Sequence, residues 1–298
     1  MGLIDLLFPI AAQFLLVLPT ATFPSLHIVS FFVSQPRCIK VPVIVMGLAS
    51  ELILIVGGTG FLGQHLIQDL VERGVGPERI HILDIKFSGS LTPGLTYHHA
   101  DITSLEEIKK VLQLVKPTLL FHMASPYPFE TNRTILEQVN INGTWNLVDS
   151  AQLVGSVAAF IYTSSSSVIH DHYHALRSAD ETHCVLYFPE QPNYYSHTKA
   201  VAEGIVLSAN RKSGSMLTVA IRPASIYGEA DTTQIPNLVK SAKAGRANMQ
   251  IGSENNKFDN TYVKALRTPK FLQQRRFLKL QERNLFLTIH ALKVRPFW

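Results

Sequence analysis

From residue 51 onward, short apolar runs alternate with longer stretches whose apolar positions recur every three or four residues. The short runs, bounded by turn residues, predict buried strands, and the longer stretches predict helices packed by one face. "ELILIVG" predicts the first strand and "FLGQHLIQDLVERG" the first helix. "RIHILDI", "LTYHHADI", "TLLFHMAS" and "VAAFIYTSSSS" predict the second to fifth strands, and "MLTVAIRPASIYG" a sixth with its exit loop. The helices between them are "SLEEIKKVLQLVK", "ILEQVNINGTWNLVDSAQLVG" read as one long helix, and "NYYSHTKAVAEGIVLSANRKSG". Ser104 is placed as the N-cap of the first of these, with Glu107 at capping-box spacing. This alternation predicts an α/β fold with a doubly wound parallel sheet.

Residues 1–46 break the pattern. "LIDLLFPIAAQFLLVLPTATF" is apolar but interrupted by Asp5, Pro9, Gln13 and Pro19, and the first Lys or Arg of the chain is Arg37. A spanning helix needs about 20 apolar residues and a signal peptide a positive start, so neither pattern fits cleanly. Three readings stand: a membrane-associated segment, a disordered extension, or a mis-assigned start ahead of Met46. The chain thus divides into an N-terminal extension (1–46), a nucleotide-binding domain carrying the catalytic residues (47–230), part of a substrate region (231–263) and a basic tail (264–298).

Composition then narrows the function classes. At 298 residues, 46% hydrophobic and 16% charged, the chain can bury one large core with a small appendage. The net charge of +5 comes from the tail, which holds nine basic residues and one acid; the remainder carries 18 basic and 21 acidic residues. With no basic stripe and interleaved aromatics in the body, a nucleic-acid site is excluded. Two cysteines, Cys38 and Cys184, without CxxC spacing exclude a disulfide scaffold and a cysteine zinc site. No ligand cluster suggests any other metal.

"GGTGFLG" sets Gly57, Gly60 and Gly63 between the first strand and first helix, where a chain turns tightly and helix amides face a pyrophosphate. Asp84 ends the second strand 21 residues after Gly63, placed to accept from an adenosine ribose and to repel a 2′-phosphate. That favours NAD over NADP on a Rossmann scaffold. Asp101 ends the third strand, where it is either an adenine-side residue or an ordinary N-cap. Small Ala124 and Ser125 end the fourth strand and leave room for a ribose or nicotinamide, while His122 reads as a core histidine. Four serines, Ser164 to Ser167, end the fifth strand, where one hydroxyl could hold a substrate oxygen. Tyr195 and Lys199 stand four residues apart on one helical face, whereas Tyr194 has only Thr198 at that spacing. A free phenol ionises at about 10, so a neighbouring ammonium and an oxidised nicotinamide are expected to favour the phenolate, letting Tyr195 take an alcohol's proton.

Together these motifs resemble the extended short-chain dehydrogenases. "GGTGFLG", "ADI", "VNINGT", "YTSSSSV", Tyr195/Lys199 and "RPASIYG" occur in that family's order over residues 51–263. "ASPYP", "ADETH", "YSHTKAVAEGIVLSAN", "RPASIYGEAD" and "QIGSENNKFDNTYV" are similar to its 3β-hydroxysteroid dehydrogenase-like branch, the decarboxylating sterol-4α-carboxylate 3-dehydrogenases of fungal ergosterol synthesis. The resemblance implies Ser165 as catalytic serine beside Tyr195 and Lys199, and Asn140 as a residue ordering the site. The NAD set would be Gly57, Gly60, Phe61, Leu62, Gly63, Asp84, Asp101, Ile102, Ala124, Tyr195, Lys199 and Pro223. It also implies a sterol or triterpenoid substrate oxidised at its 3β-hydroxyl, a homodimer, and an endoplasmic reticulum membrane or cytosolic-face location, with cytoplasm as the alternative. After Val263 the resemblance stops. The expectation there is a truncated or misread gene end and an incomplete substrate region, ahead of a basic amphipathic helix on an anionic membrane. An NAD-binding inactive remnant is the competing reading, and a sugar-nucleotide epimerase on the same scaffold is disfavoured by the steroid-like stretches.

Overall fold

A computed structural model describes residues 48–87, 92–212, 214, 216–246, 258–266 and, for the backbone, 286–289. The extension 1–46 and most of the tail lie outside the described residues. The chain order is β1 (Ile53–Val56), α1 (Phe61–Glu72), β2 (Ile80–Asp84), β3 (Thr96–His99), α2 (Leu105–Val115), β4 (Leu119–His122), α3 (Arg133–Leu136), α4 (Thr144–Val154), β5 (Ala159–Thr163), α5 (Tyr194–Ser208), β6 (Leu217–Pro223), β7 (Ser225–Tyr227), α6 (Gln234–Ser241), β8 (Asn260–Tyr262) and β9 (Phe286–Ile289). The main sheet runs β3-β2-β1-β4-β5-β6-β9, and every pair in it is parallel. This is the doubly wound sheet that the alternating pattern predicts, with the strand order of a dinucleotide-binding fold.

Strand periodicity explains why β1 is apolar throughout. Its alternate residues face opposite sides. Leu54 and Val56 join a core with α2, α4 and α5, whereas Ile53 and Ile55 join one with Leu66, Ile67 and Leu70 of α1. All four β1 residues are fully buried, as expected of a parallel strand covered on both faces.

The long helix expected over 135–155 forms as one helical run from Arg133 to Val154, but its centre is wound differently. Between α3 and α4, Glu137–Gly143 is wound as a π-helix. The Thr144 hydroxyl donates to the Asn140 carbonyl at 2.5 Å, and Gly143 lies so close to Ile102 that a Cβ there would stand 2.6 Å from its Cδ1. The wider turn brings Asn140 to the interior, and π-turns of this kind recur at functional sites. The capping box is also altered. The Ser104 hydroxyl accepts from the Glu107 amide at 3.5 Å, but the Glu107 carboxylate accepts from the Asp101 amide at 2.9 Å. The predicted sixth strand and its exit loop split at Pro223, which has no N–H to continue the ladder. Beyond it β7 leaves the main sheet and pairs with β8, and the Ala224 amide donates to Thr261 Oγ1 at 3.1 Å.

One ion pair stitches the catalytic helix to the sheet. Arg222 of β6 donates through Nη2 to Glu203 Oε1 of α5 at 2.6 Å and through Nε to Oε2 at 3.1 Å, with both side chains at most 1% exposed. Breaking a buried pair from one side leaves an uncompensated charge. Arg222→Met or Glu203→Gln alone is therefore expected to lower the unfolding free energy by about 3–5 kcal/mol. The double apolar replacement should recover most of that loss; urea unfolding of the three variants measures it.

Candidate functional site

The site is built where β1 and β4 part, the point at which helices switch faces of the sheet. Gly57 leaves β1 at φ +81°, and a Cβ on it would lie 2.6 Å from the Ala124 amide nitrogen at the end of β4. Gly63 packs the first turn of α1 onto the loop: a Cβ there would meet Gly58 Cα at 2.6 Å. Gly60 caps α1, and no side chain caps its first amides. An uncapped helix start behind a loop whose Gly57 and Gly58 leave no room for a Cβ fits a pyrophosphate, so these residues fit the dinucleotide that the sequence implies. Phe61 and Leu62, half-buried, open α1, and the Phe61 ring meets the His65 ring edge-on at 5.2 Å.

Asp84 ends β2 as expected, and the structure adds a partner that sequence reasoning missed. The Thr59 hydroxyl and amide both donate to Asp84 Oδ2, at 2.6 and 3.1 Å, while the Ile85 amide donates to Oδ1 at 2.9 Å. The carboxylate is held against the glycine loop. Thr59 lies inside the quoted glycine motif, so its place there was the available signal. Asp101 Oδ1 accepts from the Thr103 amide at 2.8 Å, a bond within the turn that leads into α2. Ile102 is buried against Gly143, and its carbonyl accepts from Asn146 at 2.9 Å. Pro223 is buried at the end of β6.

Two hydroxyl-rich elements converge on α5. Asn193 caps the helix by accepting from the Ser196 amide at 3.0 Å. The buried Gln191 donates to the carbonyls of Ser167 and His170, each at 2.9 Å, and accepts from the Asn193 amide at 3.2 Å. One amide side chain thereby ties the serine turn to the start of the helix that carries Tyr195 and Lys199. Ser165 Oγ lies 2.8 Å from Ser167 Oγ, which accepts from the Ser196 hydroxyl at 2.8 Å. On the other side, the Ser125 hydroxyl donates to Asn140 Oδ1 at 2.9 Å and Asn140 Nδ2 donates to Thr198 Oγ1 at 3.0 Å.

The two tyrosines diverge as their spacing suggests. Tyr194 turns outward, where its hydroxyl donates to Glu137 and the Arg133 guanidinium lies 4.4 Å from its ring centroid. Tyr195 turns inward toward Ser125. The electrostatics differ from expectation. Burial pushes the Tyr195 phenol above its usual range, opposed by the Ser125 hydrogen bond. Lys199 shares the helical face but donates its Nζ to the Thr163 carbonyl at 2.6 Å and lies 4.4 Å from the Tyr162 ring centroid. Burial brings the Lys199 ammonium down to about 7, with Glu203 pulling the other way. A desolvated ammonium binds the nearest strong acceptor, here the carbonyl at the end of β5, so the protein's own groups do not lower the phenol by themselves. His122 is a core histidine: fully buried, 2.9 Å from Thr144 Oγ1 and lowered to about 3 by burial, with Lys199 adding to the shift. Among the described residues no group of three or more His, Cys, Asp or Glu could hold a metal ion.

The comparisons agree with this geometry. Residues 54–284 match the 3-beta hydroxysteroid dehydrogenase/isomerase family, a match that runs past Val263, where the motif resemblance stops. A Saccharomyces cerevisiae protein named sterol-4-alpha-carboxylate 3-dehydrogenase ERG26, decarboxylating, is 39% identical over 220 residues, covering 71% of this chain and 61% of its own. A Bos taurus protein named sterol-4-alpha-carboxylate 3-dehydrogenase, decarboxylating, is 34% identical over 209 residues, covering 70% and 56%. The chain thus spans about three-fifths of the length of these relatives. Among solved structures, Thermus thermophilus UDP-glucose 4-epimerase in complex with NAD superposes with a TM-score of 0.63 at 22% identity, over 80% of this chain and 77% of that one. Bordetella bronchiseptica WbmG in complex with NAD and UDP gives 0.62 at 20%, over 80% and 72%; likeness at that identity speaks to the fold. With its glycine turn, its Tyr195 and Lys199 on one helix and a family match over most of its length, the chain belongs to the 3-beta hydroxysteroid dehydrogenase/isomerase family.

Proposed function

We propose that this chain oxidises the 3β-hydroxyl of a sterol with NAD, its substrate class being a 4α-carboxysterol whose 3-keto product loses CO₂. The observation that carries the reading is that the glycine turn follows β1 and Ser165 follows β5, while Lys199, one turn after Tyr195 on α5, reaches the Thr163 carbonyl at the end of β5. The family relatives named for that reaction support the substrate class. Solved structures of the same fold carry NAD. The glycine turn and α1 start would hold the pyrophosphate and Asp84 the adenosine ribose, and NAD when bound supplies the hydride acceptor. Ser165 orients the substrate oxygen, and Tyr195 takes its proton as the hydride leaves the same carbon. The resulting 3-ketone lies β to the 4α-carboxylate, so the electrons of the departing CO₂ pass into the ketone as an enolate.

Apolar side chains at the site's outer edge favour a sterol. Tyr127 and Phe129 on the loop after β4 are exposed, as are Ile235, Leu238 and Val239 on α6. Asn237 Nδ2 donates to the Tyr127 hydroxyl at 3.2 Å, joining the loop to α6. Such a substrate partitions into membranes, which supports a membrane-surface location such as the cytosolic face of the endoplasmic reticulum. No helix among the described residues is long and apolar enough to cross a membrane.

Incubation with NAD and a 4α-carboxy-3β-hydroxysterol, following NADH and CO₂, tests the reading. NAD binding without release of either product would favour an inactive remnant, and turnover with a triterpenoid alone would move the substrate. Tyr195→Phe should cut oxidation by roughly 10²–10⁴-fold and leave NAD affinity within about threefold by calorimetry; a fully active variant would defeat the assignment. Asp84→Asn should narrow the preference for NAD over NADP, read as the ratio of their kcat/KM values, because it removes the charge facing a 2′-phosphate.

Lys199 predicts a pH dependence of stability. Its folded value of about 7 lies below the usual 10.5. Between those values the unfolded chain binds more protons than the folded one, so the lysine's contribution to unfolding free energy rises with pH across that window. Below about 7 the penalty is present in full. Thermal unfolding should therefore show the melting temperature of the wild type rising relative to Lys199→Met between pH 7 and 9.5; a flat or falling difference contradicts the shift.

A further inference from the structure

The serine run after β5 is met by a third hydroxyl from α5, and the three form a chain that the mechanism above does not use. Ser196, in the first turn of α5, is 1% exposed, and its hydroxyl donates to Ser167 Oγ at 2.8 Å. Ser167 Oγ in turn lies 2.8 Å from Ser165 Oγ. The Ser167 amide also donates to Ser165 Oγ, at 3.2 Å. The backbone beneath these hydroxyls is itself held. Gln191 donates to the Ser167 carbonyl at 2.9 Å, and Asn193 accepts from the Ser196 amide at 3.0 Å. Ser165 is half-buried and so keeps an open side, whereas Ser164 before it is buried.

Either oxygen could donate in the bond between Ser165 and Ser167, and counting protons decides between them. A serine hydroxyl has one proton and two acceptor positions. If Ser165 donated, Ser167 would accept twice, from Ser165 and from Ser196, and its own proton would find no acceptor among the described residues. If Ser167 donates, Ser196 gives to Ser167 and Ser167 to Ser165. Both acceptor positions of Ser165 are then filled by Ser167, one by its amide and one by its hydroxyl. Only the Ser165 proton is left to spare. Hydroxyl chains that run one way polarise and strengthen each bond along them, which favours the second arrangement.

We propose that Ser196 and Ser167 are positioning residues, a one-way donor chain that lets Ser165 meet the substrate only as a donor. The inference rests on the reading of Ser165 as the residue that orients the substrate oxygen. A donor there suits the oxidation. The 3β-hydroxyl oxygen has one proton and two lone pairs; Ser165 takes a lone pair, so the proton is left for Tyr195. Once the proton and the hydride have gone, the oxygen is that of a ketone and can only accept. The bond from Ser165 is therefore kept from substrate to product, and it strengthens as negative charge develops on the oxygen between them. A serine free to accept would instead draw the substrate's proton away from Tyr195.

Two measurements test the chain. Neutron diffraction from deuterium-exchanged crystals of the wild type reads its direction without substrate. Deuterons are expected on the lines from Ser196 to Ser167 and from Ser167 to Ser165, with the Ser165 deuteron on neither. A Ser165 deuteron directed at Ser167 overturns the proposal. A double-mutant cycle reads the role. With NAD and the 4α-carboxysterol, Ser196→Ala and Ser167→Ala should each lower kcat roughly three- to tenfold, with KM within about twofold. The pH midpoint of kcat should stay in place, since the chain does not titrate. The double variant should fall no further than Ser167→Ala alone, because Ser196 acts only through Ser167. Losses that multiply, or a shifted pH midpoint that routes the effect through Tyr195, overturn the proposal. So does a purely structural outcome, in which the melting temperature falls and kcat is unchanged. Should the wild type turn over no sterol, the function proposed above fails, and the neutron map still decides the direction of the chain.

Discussion

Two stretches of backbone must cross closely where β1 and β4 diverge, and the site is arranged around that crossing. The turn after β1 comes so near the end of β4 that no side chain can stand on Gly57. A parallel sheet with helices on alternate faces opens a crevice at this point. The same contact brings the loop leaving β4, with Ala124 and Ser125, alongside the start of α1. From there the geometry extends to α5, because Ser125 is bound through Asn140 to Thr198. The nucleotide cradle and the tyrosine helix, 132 residues apart between Gly63 and Tyr195, are joined by one short polar path.

The second constraint is that charges needed at the site are buried. Arg222 and Glu203 neutralise each other within the core and fix α5 to β6. Lys199 lies one turn earlier on the same helix and is left with a carbonyl for a partner, so its ammonium is held weakly enough to titrate near neutrality. Tyr195 is pushed the other way by the same desolvation. Low dielectric raises an acid's pKa and lowers a base's, so the phenol moves up and the ammonium down, and the two groups part in proton affinity. A proton acceptor in such a site depends on hydrogen bonds to its charged form.

Much of the sheet was legible because β1, β4 and β5 are buried on both faces and so appear as uninterrupted apolar runs. The glycine turn and Asp84 were legible because each residue type is dictated by local backbone or charge. The long helix expected over 135–155 is present, but its winding at the centre was not legible. Its periodicity is helical throughout, and the π-turn arises from the Thr144 back-bond and the contact of Gly143 with Ile102, partners that periodicity does not register. The capping box failed in a similar way, since Glu107 found the Asp101 amide in place of the Ser104 amide.

By itself the sequence determined the alternating strands and helices of a doubly wound parallel sheet, the place of the glycine turn between β1 and α1, and which of the two tyrosines shares a helical face with Lys199. Each of these follows from local spacing: period two along strands, and a turn of about four residues along a helix. Only the tertiary structure decided what surrounds the chosen tyrosine. Lys199 turns to a carbonyl on β5, and Ser125 is bound by a buried asparagine from a π-turn. Those partners come from separate elements, and the proton affinities they set depend on distance and burial, which no one-dimensional spacing contains.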